Sequence, residues 1–345
     1  MNSLETNRTV KCIDLSVGYS GKSIQENINL SAGESETVAV IGANGSGKST
    51  LLRTLVGILS GVAGDLQILG SSIESYSQAE RAKILSFVST SNISNRYMSV
   101  EELVMLGRYP HTGYRGRLTT KDRLIVEEAM QTVGISHLRR AFISEISDGE
   151  RQKVSIAGAL SQDTPLMILD EPISFLDPEN TYSILGILAH LAQKKQKTII
   201  YSTHDIPTAV NQADKIWMFK NNHILEGAPE DFILKNSFED LFLMPGFSFD
   251  SQSGQYRKQQ LFLYELFYIN KGAEDDFVKS AVKAAGRVNC KLKAADNNSP
   301  VHCILHKNNT VSVIHSGNTS RCSSFYEFAG VLKQMNLKSE QAYRG

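Results

Sequence analysis

Apolar and polar residues along this chain follow two periods, and the switches between them mark its organisation. Residues 9–15 (TVKCIDL) alternate apolar and polar, as a half-buried strand does, and run on through Val17, Gly18 and Tyr19 to a turn at Ser20 and Gly21. Residues 28–30 predict a second strand, and residues 66–70 another that stops at a glycine. Residues 37–41 (TVAVI), 166–170 (LMILD) and 198–202 (TIIYS) are near-continuous apolar runs, the signature of strands buried on both faces of a parallel sheet. Between residues 81 and 149 the period becomes helical. Ser99 and Glu102 form a capping box for a helix reaching Gly107, Pro110 breaks it, and residues 113–116 loop to a second helix opened by Thr119 or Thr120 and closed by Gly134. A helix over residues 178–193 ends in the basic run 194–197, which reads as a solvated helix terminus. Asn221 and Asn222 predict a two-residue hairpin turn, because asparagine tolerates positive φ.

The junction after the first continuous run carries the chemistry. Residues 42–50 read GANGSGKST, which is G-x-x-x-x-G-K-[ST] between a strand and a helical run of Leu51, Leu52, Leu55, Val56, Ile58 and Leu59. A strand delivers the chain to a glycine-rich turn whose backbone N–H groups converge on phosphate oxygens, and the helix aims its positive end at the same point. Gly42, Asn44, Gly45, Ser46, Gly47, Lys48, Ser49 and Thr50 are therefore the candidate nucleotide-phosphate residues. Lys48 would reach the β/γ-phosphates and the Ser49 hydroxyl would ligate Mg²⁺.

Composition narrows the class. The 345 residues are 41% hydrophobic and 21% charged, which fits a globular chain with one large and one small domain. Lysine plus arginine equals aspartate plus glutamate at 36 each, so the basic excess of a nucleic-acid binder is missing and no nucleic-acid partner is expected. No run approaches the length of a membrane span, and the opening residues lack the apolar core of a secretory signal. The four cysteines form no C-x-x-C pair, so a reducing compartment is expected.

Further along, four apolar residues end in Asp170-Glu171. An acid at the end of a strand can hold Mg²⁺ through Asp170, and Glu171 beside it could orient or deprotonate an attacking water. His204 follows the next strand; it reads either as a surface histidine or as a site residue, since ligands of open α/β sheets sit at the carboxyl ends of strands. Ser147, with Glu150 three residues on, is a capping box. Ser147 and the Gly149 N–H also make a second anion site at a helix start, and both roles can hold together.

With these motifs in this order, the chain resembles the ATP-binding subunit of ABC transporters over residues 1–249. Ser147, Asp148, Gly149 and Glu150 match the family's signature, with Asp148 standing at its first glycine. Tyr19 matches the aromatic that stacks on adenine, Asp177 the D-loop aspartate, and His204 the histidine that contacts the γ-phosphate. The resemblance implies an α/β fold: an ABC-type P-loop ATPase with a RecA-like core, an antiparallel β subdomain and a helical subdomain at about residues 91–161. It also implies ATP and Mg²⁺ as ligands, and a head-to-tail homodimer in which each ATP lies between one phosphate loop and the other copy's Ser147 and Gly149. One departure stands out. The family carries glutamine where this chain has Thr90, and a hydroxyl is shorter and lacks the amide's paired donor and acceptor.

Residues 106–113 (LGRYPHTG), with 116–119 and 148–152, resemble the importers of iron–siderophore complexes, haem and cobalamin. That branch implies a separate membrane permease, a substrate-binding protein upstream, and a position on the inner face of the cell membrane. The rivals are a soluble scaffold ATPase, as in iron–sulfur assembly, and a nucleotide-gated module without turnover. A composition shift over residues 236–254 suggests a linker to a small α+β domain at 250–345, for which a regulatory or dimer-bracing role is expected. His302, Cys303, His306, His315 and Cys322 do not make a metal site on geometric grounds. On a strand His302 and His306 are roughly 13 Å apart and Cys303 faces the other way.

Overall fold

The turn after the first long hairpin carries the chain from one sheet into the next. A computed structural model describes residues 8–89, 97–113, 116–235, 237–238, 241, 247–250, 255–258, 264–288, 290–296, 301–315 and 318–342. Thr90, residues 91–96, Pro245-Gly246 of the expected linker and residues 261–263 lie outside them. Contacts divide the chain into two units: Met1–Met244 with Phe249–Tyr256, and Pro245–Ser248 with Arg257–Gly345.

In the first unit, β1 (Arg8–Tyr19) and β2 (Lys22–Gly33) form a long antiparallel hairpin, turned at Ser20 and Gly21, both of positive φ. The second strand is much longer than its three alternating residues suggest, because its pairing partner continues the ladder past the apolar stretch. β3 (Thr37–Ile41) leads into α1 (Lys48–Leu55), then β4 (Ala63–Ile68) and β5 (Ser71–Ser72) complete a sheet ordered β2-β1-β4-β5. α2 (Gln78–Ile84) runs directly into β6 (Leu85–Val88). The helices α3 (Val100–Leu106), α4 (Thr120–Thr132) and α5 (Asp148–Ser161) follow, α3 and α5 with the expected capping boxes at Ser99 and Ser147, and α4 with Thr119, of the two threonines, as its cap. β7 (Leu166–Leu169), α6 (Pro178–Lys195), β8 (Thr198–Thr203), α7 (Ile206–Gln212), β9 (Lys215–Lys220), β10 (His223–Gly227) and α8 (Pro229–Leu234) finish the core. Asn221 and Asn222 both have positive φ in the β9–β10 turn.

The main sheet is ordered β10-β9-β3-β8-β7-β6, parallel except for the β10 edge. Its inner strands are largely apolar because alternate residues enter different cores. Val38, Val40, Leu166, Ile168, Ile200 and Trp217 pack with α1 and the antiparallel sheet. Ala39, Ile41, Met167, Leu169, Ile199, Tyr201 and Met218 pack with the helices on the opposite face. Phe249 belongs to this second core, with its ring 4.7 Å from that of Phe238. It sits on β11 (Phe247–Asp250), within the stretch read as linker; β12 (Gln255–Lys258) pairs with it.

The second unit has its own core. β13 (Tyr264–Lys271), α9 (Asp275–Gly286), β14 (Cys290–Ala294), β15 (Cys303–His306), β16 (Val311–His315), β17 (Asn318–Cys322) and α10 (Phe325–Ala342) build a sheet ordered β14-β13-β15-β16-β17. Ala281, Ala284, Ala285, Phe328 and Leu332 of the helices pack on Leu266, Leu292, Leu305, Val311 and Val313, together with Cys290, Cys303 and Cys322. The polar strand β17 carries no apolar alternation that would predict it from the sequence. Among the described residues, no helix is long and apolar enough to cross a membrane.

Candidate active site

Three adjacent strands, β3, β8 and β7, deliver their carboxyl ends to one place, where ligands of open α/β sheets bind. The phosphate loop leaves β3. Gly47 adopts φ 105°, a left-handed conformation that glycine takes without a Cβ penalty, and α1 begins at the next residue. The ammonium of Lys48 donates to the carbonyls of Gly42 at 2.8 Å and Ala43 at 3.1 Å, folding its side chain back over the loop. Burial pushes its pKa below the ordinary lysine value, and the Glu171 and Asp170 carboxylates oppose that shift. Asn44 and Gly45 are exposed at the loop tip. Tyr19, at the end of β1, places its hydroxyl 3.2 Å from Thr50 Oγ1 and leaves much of its ring exposed beside the loop.

From β7, buried Asp170 accepts a hydrogen bond from Ser49 Oγ at 3.0 Å. A hydroxyl and a carboxylate this close are hard oxygen donors, the set a magnesium ion prefers, so these residues fit that ion. Glu171 has φ 47°, an uncommon conformation for a residue with a side chain. Its Oε2 accepts a bond from Ser174 Oγ at 2.6 Å and lies 3.8 Å from His204 Nδ1. Glu171 and His204, 33 positions apart in the chain, thus come together past the ends of β7 and β8.

The signature residues sit elsewhere. Ser147 caps α5: its hydroxyl accepts the Glu150 N–H at 3.3 Å and donates to Glu150 Oε2 at 2.8 Å, while the Ser147 N–H donates to the same carboxylate oxygen at 2.8 Å. These bonds, the backbone one first, hold the Glu150 carboxyl below its ordinary pKa. Asp148 pairs with Arg151, whose guanidinium also donates to the Ile146 carbonyl at 2.7 Å. A Cβ on Gly149 would fall 2.4 Å from the Asn180 side chain, which would have to swing away to admit it. Asn180 is in turn bound by Asp177, the N-cap of α6, which accepts its N–H at 2.8 Å and its side-chain amide at 2.9 Å. Among the described residues, no hydrogen bond or ion pair joins residues 147–150 to the phosphate loop.

Three site features escaped sequence reading. Gln25 of β2 is buried under the loop and donates to the Ser46 carbonyl at 3.3 Å. Ser202 of β8 bonds to both Asp170 and Glu171. Arg108 lies in the stretch read as a branch marker, and it is a buried structural cation. Its Nε donates to Asp122 Oδ1 at 2.9 Å and its Nη1 to the Ser161 carbonyl at 2.7 Å, tying together the ends of α3, α4 and α5. A polar residue inside an apolar run was the available signal for Ser202. Neither Gln25 nor Arg108 offered one, since each is defined by a partner distant in sequence.

Comparison with known proteins agrees with this geometry. Residues 25–174 match the family model described as ABC transporter. The chain is 35% identical over 248 residues to an uncharacterized ABC transporter ATP-binding protein of Methanocaldococcus jannaschii, covering 72% of this chain and 86% of that one. It is 32% identical over 229 residues to the ferric enterobactin transport ATP-binding protein of Escherichia coli, covering 66% and 84%. The iron(3+)-hydroxamate import ATP-binding protein of Bacillus subtilis is 32% identical over 243 residues, covering 70% and 88%. Among solved structures, cbiO1 of Clostridium perfringens, part of the ABC transporter complex cbiONQ, aligns with a TM-score of 0.60 at 27% identity over 68% of this chain and 94% of that one. The chain therefore belongs to the ABC transporter ATP-binding proteins, and its nucleotide site is that of an ATP-hydrolysing subunit.

Proposed function

We propose that this chain is the motor subunit of an importer for iron–siderophore, haem or cobalamin-like substrates, energising a separate membrane permease from the inner face of the cell membrane. The convergence of the phosphate loop, Asp170, Glu171 and His204 at three adjacent strand ends carries the ATPase part of the reading. The siderophore and hydroxamate systems named for its relatives, and the resemblance of residues 106–113 to that branch, support the substrate class.

In this reading Tyr19 stacks on adenine, residues 42–50 hold the phosphates, and Ser49 and Asp170 hold Mg²⁺, with the Thr90 hydroxyl taking the place of the family's glutamine. The ion, when bound, neutralises phosphate charge. Glu171 orients or deprotonates the attacking water, and His204 contacts the γ-phosphate. Ser147 and Gly149 act on the ATP of a second copy, with Asp177 at the contact, and a substrate-binding protein loads the permease from the other side. Purification from native membranes tests the assignment: co-recovery of an integral-membrane permease is expected, and recovery solely in a soluble complex would contradict it.

A further inference from the structure

Ser202 is a polar side chain of β8 that meets Asp170 and Glu171 from within a fully buried strand. It is 0% exposed, in a run whose other members are Thr198, Ile199, Ile200, Tyr201 and Thr203. A buried hydroxyl needs partners, and those it has are informative. Ser202 Oγ donates to Asp170 Oδ1 at 2.7 Å and accepts the backbone N–H of Glu171 at 2.8 Å. The same Asp170 oxygen accepts from Ser49 Oγ at 3.0 Å. One hydroxyl therefore touches both acidic residues, on the side facing the phosphate loop.

The backbone adds a reason for that contact. Glu171, at φ 47°, occupies a region that residues with side chains seldom adopt, and such conformations persist only where surroundings over-determine them. Ser202 pins its N–H, and Ser174, three residues on, pins its carboxylate at 2.6 Å. Just past the end of β8, His204 lies 3.8 Å from that carboxylate. β8 and the residue that follows it thus supply one group to the main chain of Glu171 and another to its side chain.

From this we infer that Ser202 is a positioning residue for ATP hydrolysis, holding the Asp170–Glu171 turn so that the metal-side and water-side carboxylates keep a fixed relation. The inference rests on Glu171 being the catalytic carboxylate. Ser202 spends its hydroxyl on Asp170 and Glu171, and among the described residues no side-chain hydrogen bond or ion pair joins it to residues 42–48, so it should affect turnover and leave nucleotide capture alone.

The test compares full-length Ser202→Ala, Ser202→Thr, Ser86→Ala and Glu171→Gln with the wild type. Ser86 is a useful control: it is equally buried in the same sheet, but its hydroxyl meets Thr164 Oγ1 at 3.1 Å, at the amino end of the strands. Measured are kcat, KM for ATP, Kd for a fluorescent ATP analogue without divalent metal, and Tm. Ser202→Ala should lower kcat by about tenfold or more, in keeping with the cost of misplacing a reacting group. Its KM and metal-free Kd should stay near wild type, and Ser202→Thr, which keeps the hydroxyl, should recover most of the rate. Ser86→Ala should lose a similar amount of Tm with little loss of kcat. The inference is overturned if Ser202→Ala retains wild-type kcat, if folded Ser202→Thr is as slow as Ser202→Ala, or if Ser86→Ala loses as much rate. Should Glu171→Gln hydrolyse at the wild-type rate, the assignment of Glu171 itself falls, and the role of Ser202 with it.

Discussion

Replacing Arg108 by alanine should unlock the helical part of the cassette, and the cost can be worked from its contacts. The guanidinium and the Asp122 carboxylate are 5% and 7% exposed, 2.9 Å apart, with the Ser161 carbonyl as the guanidinium's other partner. Breaking a buried pair from one side costs about 3–5 kcal/mol, because the other charge stays buried. Here the lower end applies. Asp122 keeps its Thr119 bonds, to the N–H at 2.8 Å and the hydroxyl at 2.6 Å, so its charge is not left bare. A loss of about 3 kcal/mol corresponds to a fall in Tm of roughly 6–12 °C for a unit of this size. Calorimetry gives the Tm, and hydrogen exchange should show the loss first at the ends of α3 and α5. In a cycle with Asp122→Asn, the double variant should lose less than the sum of the singles by about 1–3 kcal/mol. A Tm within about 2 °C of wild type, or strict additivity, would refute the reasoning.

The same carboxylate sets a pH dependence. Thr119's hydrogen bonds, with the Arg108 pair adding to them, hold Asp122 down from 3.8 to about 2. A depressed folded-state value means stability that is present above the unfolded pKa and lost as pH falls through the folded one, here about 2 kcal/mol in total. The urea-midpoint gap between wild type and Asp122→Asn should therefore narrow as pH drops from about 4 to 2. Tyr19→Ala should weaken ATP-analogue binding by the equivalent of about 1–3 kcal/mol of lost stacking, while Tyr19→Phe, losing only the 3.2 Å contact to Thr50, changes it little; fluorescence titration decides. Truncation after Tyr256 should leave the cassette's unfolding transition in place, because the second unit has its own core. Truncation after Ser248 should cost about 1–2 kcal/mol through loss of the Phe249 ring from the core, visible as a lower Tm. Gly149→Ala should push Asn180 off Asp177 and slow hydrolysis with nucleotide affinity of the isolated chain unchanged.

Sequence reading recovers features whose physics is local. The phosphate loop is legible because close backbone approach demands glycines at set spacings, and the buried strands because both faces are apolar. Asp170, Glu171 and His204 are legible as the residues that end such strands. Ser202 and Arg108 are defined by what lies across a sheet or on another helix, and nothing in their neighbours' spacing encodes that partner. The stretch around Arg108 could be matched to a branch of the family without revealing that its arginine is a buried lock. Phe249 reads as part of a linker because Ser, Gly and Gln surround it, whereas its packing against Phe238 comes from tertiary structure.

The central claim is that this chain holds half of a hydrolytic site, with Ser147 and Gly149 serving a second copy. Sedimentation of purified Glu171→Gln, with and without saturating Mg-ATP, tests it most directly. The account predicts a 38.1 kDa species without nucleotide and a particle of twice that mass with ATP, carrying unhydrolysed ATP. A variant that stays monomeric with ATP bound, or that hydrolyses ATP at the wild-type rate, would contradict it.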